Sequence, residues 1–156
     1  MIFDRAQQVP LWADAIEPAP AHSRPTDAAY WRGSIASRAR TRDAQRELGQ
    51  YMTPPPIARF IARRMVEGHN GHNEGRNWSG RVVRVLDPAA GSGVLAAALV
   101  EALAALPAPP AAIELLSCDV DASMVPLLER SAAELEAVCR DANVGLTTRV
   151  QQADFL

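Results

Sequence analysis

The chain has 156 residues, of which 48% are hydrophobic, and its formal net charge is −2 at neutral pH. A chain of this length buries one core, which argues against two independent domains. The sequence does not begin with a basic region followed by an apolar run, and it contains no run of about 18 apolar residues. We therefore expect a soluble, cytoplasmic protein without a membrane partner.

The charge is unevenly distributed along the chain. Arginine outnumbers the acidic residues over residues 1–81, whereas acidic residues outnumber arginine over residues 82–156. All 16 basic residues are arginine, which a biased genome explains as readily as selection for phosphate contacts does. Composition alone therefore does not establish nucleic-acid binding.

The first 47 residues precede the predicted domain, which we assign to residues 48–156. Residues 1–30 carry four prolines without a sustained period, so they are predicted to be irregular or weakly helical. Residues 30–48 read as helical. This helix carries five arginines: Arg32, Arg38, Arg40, Arg42 and Arg46. We expect them to form a solvated helix face rather than a phosphate-binding surface.

A second helix is predicted to begin at Thr53, whose side chain can cap it. Pro54 then lies in the first turn, where its missing N–H is not needed. Four apolar residues follow at helical spacing: Ile57, Phe60, Ile61 and Met65. The helix should end near Glu67, before a loop over residues 68–80 that is rich in Gly, Asn and His.

Neither the cysteines nor the histidines indicate a metal site. Cys118 and Cys139 lie far apart, without a histidine at ligand spacing, so we expect two reduced thiols in the core and no disulfide. His69 and His72 are three residues apart, but they lie in the predicted loop without cysteine or carboxylate partners.

From residue 82 onward the pattern alternates strands with helices. Three apolar runs predict strands, at residues 82–86, 113–118 and about 146–150. Residues 94–106 predict one helix, and Asp121 or Ser123 can cap another. The apolar face of the second helix is Met124, Leu127, Leu128, Leu135 and Val138. The β-α-β-α-β order predicts an α/β fold, a partial Rossmann-like parallel sheet with right-handed crossovers.

Three acidic residues follow the predicted strands: Asp87, Asp119 and Asp154. Ligands of parallel sheets bind beyond the carboxyl ends of the strands, so we expect these side chains to share one site. Asp119 can accept hydrogen bonds from both ribose hydroxyls of an adenosine moiety, or it can cap a helix beside Asp121. Asp154 can accept from an exocyclic amine while Phe155 packs on a purine.

Residues 87–93 form the turn between the first of these strands and its helix. Gly91 and Gly93 can adopt positive φ and allow a ligand to approach the backbone. A nicotinamide dinucleotide would require a third glycine where Ala96 stands, and Asp87 would repel its pyrophosphate. An acid at this position suits an ammonium-bearing ligand such as S-adenosylmethionine.

Over roughly residues 45–156, these motifs resemble the adenine-specific, and more broadly amino-group, DNA methyltransferases of restriction-modification systems. The resemblance implies an S-adenosylmethionine-dependent methyltransferase fold. Residues 48–55 match the family's N-terminal cofactor motif, which would place Tyr51 and Thr53 near the methionine end of the cofactor. The resemblance also assigns four loop residues to the amino-acid part of the cofactor: Asp87, Ala89, Gly91 and Gly93. Asp119 then matches the ribose-binding acid, and Asp154 with Phe155 matches the adenine-binding strand end.

The sequence departs from the family at the catalytic motif. The family places Asn-Pro-Pro-Tyr or Asp-Pro-Pro-Tyr after the next strand, and neither string occurs in these residues. That motif would hold the flipped base and its amine, so we assign no catalytic residue and expect this chain alone to be inactive. DNA would be bound through the complete enzyme, together with a C-terminal half or a specificity subunit.

Two other interpretations remain open at this stage. A fragment of a protein-glutamine or RNA methyltransferase would share the cofactor fold, although the string at residues 49–54 argues against it. A split subunit without catalytic function, which completes a site with a second polypeptide, is the other.

Overall fold

The structure is a computed structural model and describes residues 19–38, 51–67 and 78–155. Three sets of predictions lie outside these ranges. They concern the first 18 residues, the arginines at 40, 42 and 46, and the two histidines at 69 and 72.

The described residues form four α-helices and a three-stranded sheet. In chain order the elements are α1 (Pro25–Arg38), α2 (Pro55–Glu67), β1 (Val82–Asp87), α3 (Val94–Ala104), β2 (Ala112–Asp119), α4 (Val125–Asp141) and β3 (Gly145–Gln152). The strands lie in the order β1-β2-β3, and both pairings are parallel. The predicted α/β class and β-α-β-α-β order are therefore confirmed, and the arrangement is compatible with a partial Rossmann-like fold.

The helices cover one face of the sheet. In register across the strands, Val83 pairs with Ile113, which pairs with Leu146, and these residues pack against helical side chains in the main core cluster. From the helices, this cluster includes Val66, Ala97, Val100, Leu103, Leu135 and Cys139. Burying a continuous apolar layer of this kind is the main stabilising contribution to such a fold.

The opposite face of the sheet is largely exposed in the described part of the chain. Val82 and Leu86 of β1 are about half exposed, and Arg84 and Glu114 form an ion pair of 2.8 Å on the same face. Both side chains of that pair lie in solvent, so it contributes little to stability. None of the described helices is long and apolar enough to cross a bilayer.

Helix α1 begins earlier than the sequence indicated. Residues 25–30 were predicted to be irregular or weakly helical, but they form the start of a regular helix: Pro25 opens it, and Asp27 lies in its first turn. Both choices favour a helix N-terminus, because proline needs no donor partner there and an acid complements the helix dipole. Glu101 of α3 accepts a hydrogen bond of 2.8 Å from the backbone N–H of Thr26, so it satisfies one donor of this first turn.

The prediction of a solvated arginine face was wrong for Arg32. This side chain is only 1% exposed and forms an ion pair with Glu134 of α4. Helix α1 packs on α3 and α4, so the face that carries Arg32 is an internal one. Sequence periodicity missed this, because the charge pattern of a helix does not show which of its arginines faces a neighbouring element.

Helix α2 ends at Glu67 as predicted and begins at Pro55, one residue later than a Thr53 cap implies. Its buried face consists of Ala58, Ala62 and Val66. The four larger apolar residues that predicted the helix lie on the other side and are substantially exposed: Ile57, Phe60, Ile61 and Met65. The spacing was helical, but small alanines rather than large side chains face α3, which allows the two helices to approach closely.

Two further details agree with the sequence. Asp121 caps the turn Ala122–Met124 that leads into α4, accepting a hydrogen bond of 2.9 Å from the N–H of Ser123. Cys118 and Cys139 are both buried and free. Burial raises the pKa of the Cys139 thiol above its ordinary value, because the thiolate is poorly solvated there.

The orientation of α2 can be tested by substitution. Leu135→Ala, at a position 1% exposed in the core, should lower the free energy of unfolding by about 2–5 kcal/mol because it leaves a cavity. Phe60→Ser, at a position 65% exposed, should change it by no more than about 0.5 kcal/mol. Urea unfolding followed by circular dichroism measures both values. If Phe60→Ser lowered the free energy of unfolding as much as Leu135→Ala does, the outward apolar face of α2 would be covered rather than exposed.

Candidate ligand site at the carboxyl ends of the strands

Three acidic side chains lie at one edge of the sheet. Asp87 is the last residue of β1 and Asp119 the last residue of β2. Asp154 follows β3 by two residues, and the N–H of the preceding Ala153 donates a hydrogen bond of 3.0 Å to the backbone oxygen of Asp119. The structure therefore places Asp87, Asp119 and Asp154 at the same edge of the sheet, with Asp154 exposed and the other two buried.

The turn after β1 has a sharply bent backbone. Gly91 has φ of 55° and Gly93 has φ of 86°, in the left-handed region where a side chain is strained. Gly93 is followed directly by α3, so the turn delivers the chain from the strand into the N-terminus of a helix. Ala89 is exposed on this turn. We call residues 88–93 the glycine loop.

Three backbone donors of the glycine loop have partners within the protein. Ala90 N–H donates to the backbone oxygen of Cys118 at 2.9 Å, and Gly93 N–H donates to the backbone oxygen of Ala90 at 2.8 Å. Gly91 N–H donates to Oδ2 of Asp119 at 2.7 Å. The loop is therefore attached to the end of β2 by one backbone and one side-chain bond.

Asp119 joins two turns of the site. Besides accepting from Gly91, its carboxylate accepts from the N–H of Asp121 at 2.9 Å through Oδ1. The sequence left open whether Asp119 binds a ribose or caps a helix; in the structure Asp121 caps the short turn Ala122–Met124 before α4, and Asp119 receives two backbone donors. An ionised carboxylate has about four acceptor positions, so two remain for further donors.

Asp87 is the electrostatically unusual residue of the site. It is 9% exposed, and its Oδ2 has no hydrogen-bond partner among the described residues. Loss of solvation raises the pKa of this carboxyl above its ordinary value; a backbone hydrogen bond from Ala96 opposes the rise, and the charge of Asp119 adds to it. A buried acceptor without a donor is costly in an isolated protein, and an approaching cation would relieve that cost.

The segment before α2 lies against the glycine loop. Ser92 Oγ donates to the sulfur of Met52 at 3.4 Å, and a Cβ built on Gly91 would lie 3.3 Å from the Met52 methyl group. Of the neighbouring predicted site residues, Thr53 is half-buried and Tyr51 is exposed. Phe155, at the end of β3, is also exposed.

Two features of this region were missed by sequence reasoning. One is the set of polar contacts that joins the glycine loop to α1 through Ser131 and Arg32. The other is an apolar groove of about 620 Å³ along β1, lined in part by Met65, Leu95 and Asp87. The groove reaches the carboxyl end of β1 at Asp87, and its lining includes neither Asp119 nor Asp154.

No family model matches the chain, and no curated protein or solved structure matches it either. The interpretation of the site therefore depends on its own geometry and chemistry.

The raised pKa of Asp87 has a measurable consequence for stability. In the folded chain this carboxyl binds a proton at higher pH than in the unfolded chain, so ionisation of Asp87 opposes folding at neutral pH. Asp87→Asn should therefore unfold at higher urea concentration than the parent at pH 7.5. The difference should shrink as the pH falls through the raised pKa, because the parent then regains the neutral form. A stability difference that does not change with pH would contradict a raised pKa for Asp87.

Proposed function

We propose that this chain is the cofactor-binding portion of an S-adenosylmethionine-dependent methyltransferase that modifies the exocyclic amine of adenine in DNA. The observation that carries the proposal is the convergence of Asp87, the glycine loop and Asp119 at one edge of a parallel sheet. Sites beyond the carboxyl ends of parallel strands are the usual ligand sites of such sheets.

The Asp87 oxygen that has no partner within residues 19–38, 51–67 and 78–155 suits the amino-acid end of this cofactor. That end carries an ammonium group, which supplies both charge and donors to a buried carboxylate. A nucleotide phosphate would instead bring negative charge to a carboxyl that already lacks solvation. Asp87 therefore favours a cationic ligand group over a phosphate-bearing one, which supports S-adenosylmethionine over a dinucleotide.

The other contacts would be distributed along the edge of the sheet. Asp119, held in place by Gly91 and Asp121, keeps acceptor positions for ribose hydroxyls. Asp154 and Phe155 follow β3, where a carboxylate can accept from the adenine amine and a ring can pack on its face. Thr53 belongs to the segment that contacts the glycine loop through Met52 and would lie towards the methionine end.

Bound S-adenosylmethionine supplies a methyl group on a positively charged sulfur, and it is the carbon of this methyl group that an amine nucleophile attacks. The residues of this chain would bind and orient that cofactor. The 156 residues contain no Asn-Pro-Pro-aromatic string to hold the target amine, so the proposal requires a second segment or polypeptide that supplies one.

The acceptor class is supported by motif order. The string at residues 49–54 precedes the strand that leads into the glycine loop, an order that the amino-group DNA methyltransferases share. The acceptor would then be an adenine rotated out of the duplex.

Cofactor binding tests the first part of the proposal. Calorimetry should show S-adenosylmethionine binding to the parent chain, and Asp119→Ala should weaken it about 10- to 150-fold for each ribose hydrogen bond lost, or about 1.5–3 kcal/mol. Asp141→Ala, at the exposed end of α4, is the matched control and should bind like the parent. The 2′-deoxy analogue of the cofactor should lose affinity for the parent but not for Asp119→Ala. Preferential binding of a nicotinamide dinucleotide would overturn the proposal.

The acceptor is tested by expressing the gene with its flanking reading frames in a host whose DNA lacks N6-methyladenine. Mass spectrometry of digested DNA should then detect N6-methyladenine. An Asp119→Ala copy, which lacks the ribose acceptor, should yield strongly reduced amounts. Methylated RNA or protein without methylated DNA would instead support one of the other methyltransferase classes.

A further inference from the structure

We infer that Arg32 and Ser131 are positioning residues for the glycine loop, so that α1 forms part of the ligand site although it lies outside the methyltransferase-like motifs. Ligand binding by this loop rests on the function proposed above, whereas the contacts themselves do not.

The contacts form a directed chain of hydrogen bonds. Arg32 Nη2 donates to Ser131 Oγ at 2.8 Å, and Ser131 Oγ donates to the backbone oxygen of Ser92 at 2.8 Å. A guanidinium group can only donate, so the Ser131 oxygen must accept from Arg32 and its own proton is left for Ser92. Arg32 thereby sets the direction in which the Ser131 hydroxyl points.

Glu134 holds the arginine in place. It accepts from both terminal nitrogens of Arg32, at 2.6 and 2.9 Å, in a two-pronged geometry. Arg32 is 1% exposed and Ser131 is 2% exposed, so the bond between these two side chains is shielded from water. A buried bond of this kind is electrostatically stronger than the same bond in water, because the local dielectric constant is lower.

The carbonyl that receives this chain belongs to the centre of the glycine loop. Ser92 is fully buried and lies between Gly91 and Gly93, the two residues with positive φ. Its side chain is also fixed, because Ser92 Oγ donates to Met52. Ser92 is thus held at both its carbonyl and its hydroxyl. These two contacts fix the orientation of a peptide group that Gly91 and Gly93 would otherwise allow to rotate.

Close packing of α1 reinforces the same contact. A Cβ built on Gly33 would overlap both the Ser92 hydroxyl and the Met52 sulfur, so the helix backbone lies directly against the loop. On the other side, a Cβ on Gly93 would lie 3.3 Å from Ser131 Cβ and from a Leu128 methyl group. The glycine loop is therefore clamped between α1 and α4.

The inference is tested by local amide exchange in the ligand-free full chain. Ser131→Ala removes the hydroxyl with little change in volume, and the amides of residues 91–94 should then exchange faster by on the order of tenfold. Arg32→Met should have a similar effect, and the double variant should exceed the larger single effect only slightly, because both act on one chain of contacts. Val144→Ala, in the core beside the start of β3, is the control for general loss of stability and should leave these amides unchanged.

Calorimetry with S-adenosylmethionine separates this inference from the proposed function. Ser131→Ala should bind on the order of tenfold more weakly than the parent, and Val144→Ala should bind like it. If the parent chain fails to bind, the proposed function falls while the exchange data still decide the role of Arg32 and Ser131. Loop exchange in Ser131→Ala no faster than in Val144→Ala would overturn the inference, as would unchanged affinity in Ser131→Ala when the parent binds.

Discussion

The site depends on a buried carboxylate that satisfies backbone donors from two separate turns. Asp119 accepts from Gly91 at 2.7 Å and from Asp121 at 2.9 Å, so it fixes the glycine loop and the start of the next helix to the end of the same strand. Backbone N–H groups of tight turns lack helical or sheet partners, and an acid at this point supplies them. The same acid retains acceptor capacity, so under the proposed function it would both hold the edge together and contact the ligand.

Around this carboxylate, the two other acids have contrasting environments. Asp87 lies beneath the N-terminus of α3, and one of its oxygens has no partner in the described part of the chain, whereas Asp154 is exposed after β3. A ligand with a cationic end and a neutral aromatic end matches this gradient from a buried to a solvated acid. The helices contribute from behind the loop, because α1 and α4 hold the Ser92 carbonyl through Arg32 and Ser131. Helices α1 and α4, which lie outside the sheet, thus help to fix the position of the glycine loop at its edge.

Much of the fold was predictable because its signals are local. Apolar runs, the Asp121 cap and the turn at residues 87–93 placed all three strands and the helices between them within a few residues. The faces of α1 and α2 were not predictable, because which side of a helix is buried depends on its neighbours. In α2, alanines face α3 and the larger Phe60 faces outward; in α1, Arg32 is internal because Glu134 lies opposite. Likewise, strand order alone placed Asp119 at the edge of the sheet. Only the tertiary structure showed that its carboxylate accepts hydrogen bonds from the N–H groups of Gly91 and Asp121.

The two buried cysteines allow local opening of the structure to be measured from the rates at which their thiols are modified. Cys118 precedes Asp119 at the edge of the sheet and is 2% exposed, whereas Cys139 lies in the last part of α4 and is 1% exposed. The thiolate is the nucleophile that attacks an alkylating reagent, so neither sulfur reacts until the structure around it opens. The two modification rates therefore record separate fluctuations, one at the candidate site and one at the core beneath α4. A single cysteine introduced on the surface would react first, without removal of either native thiol.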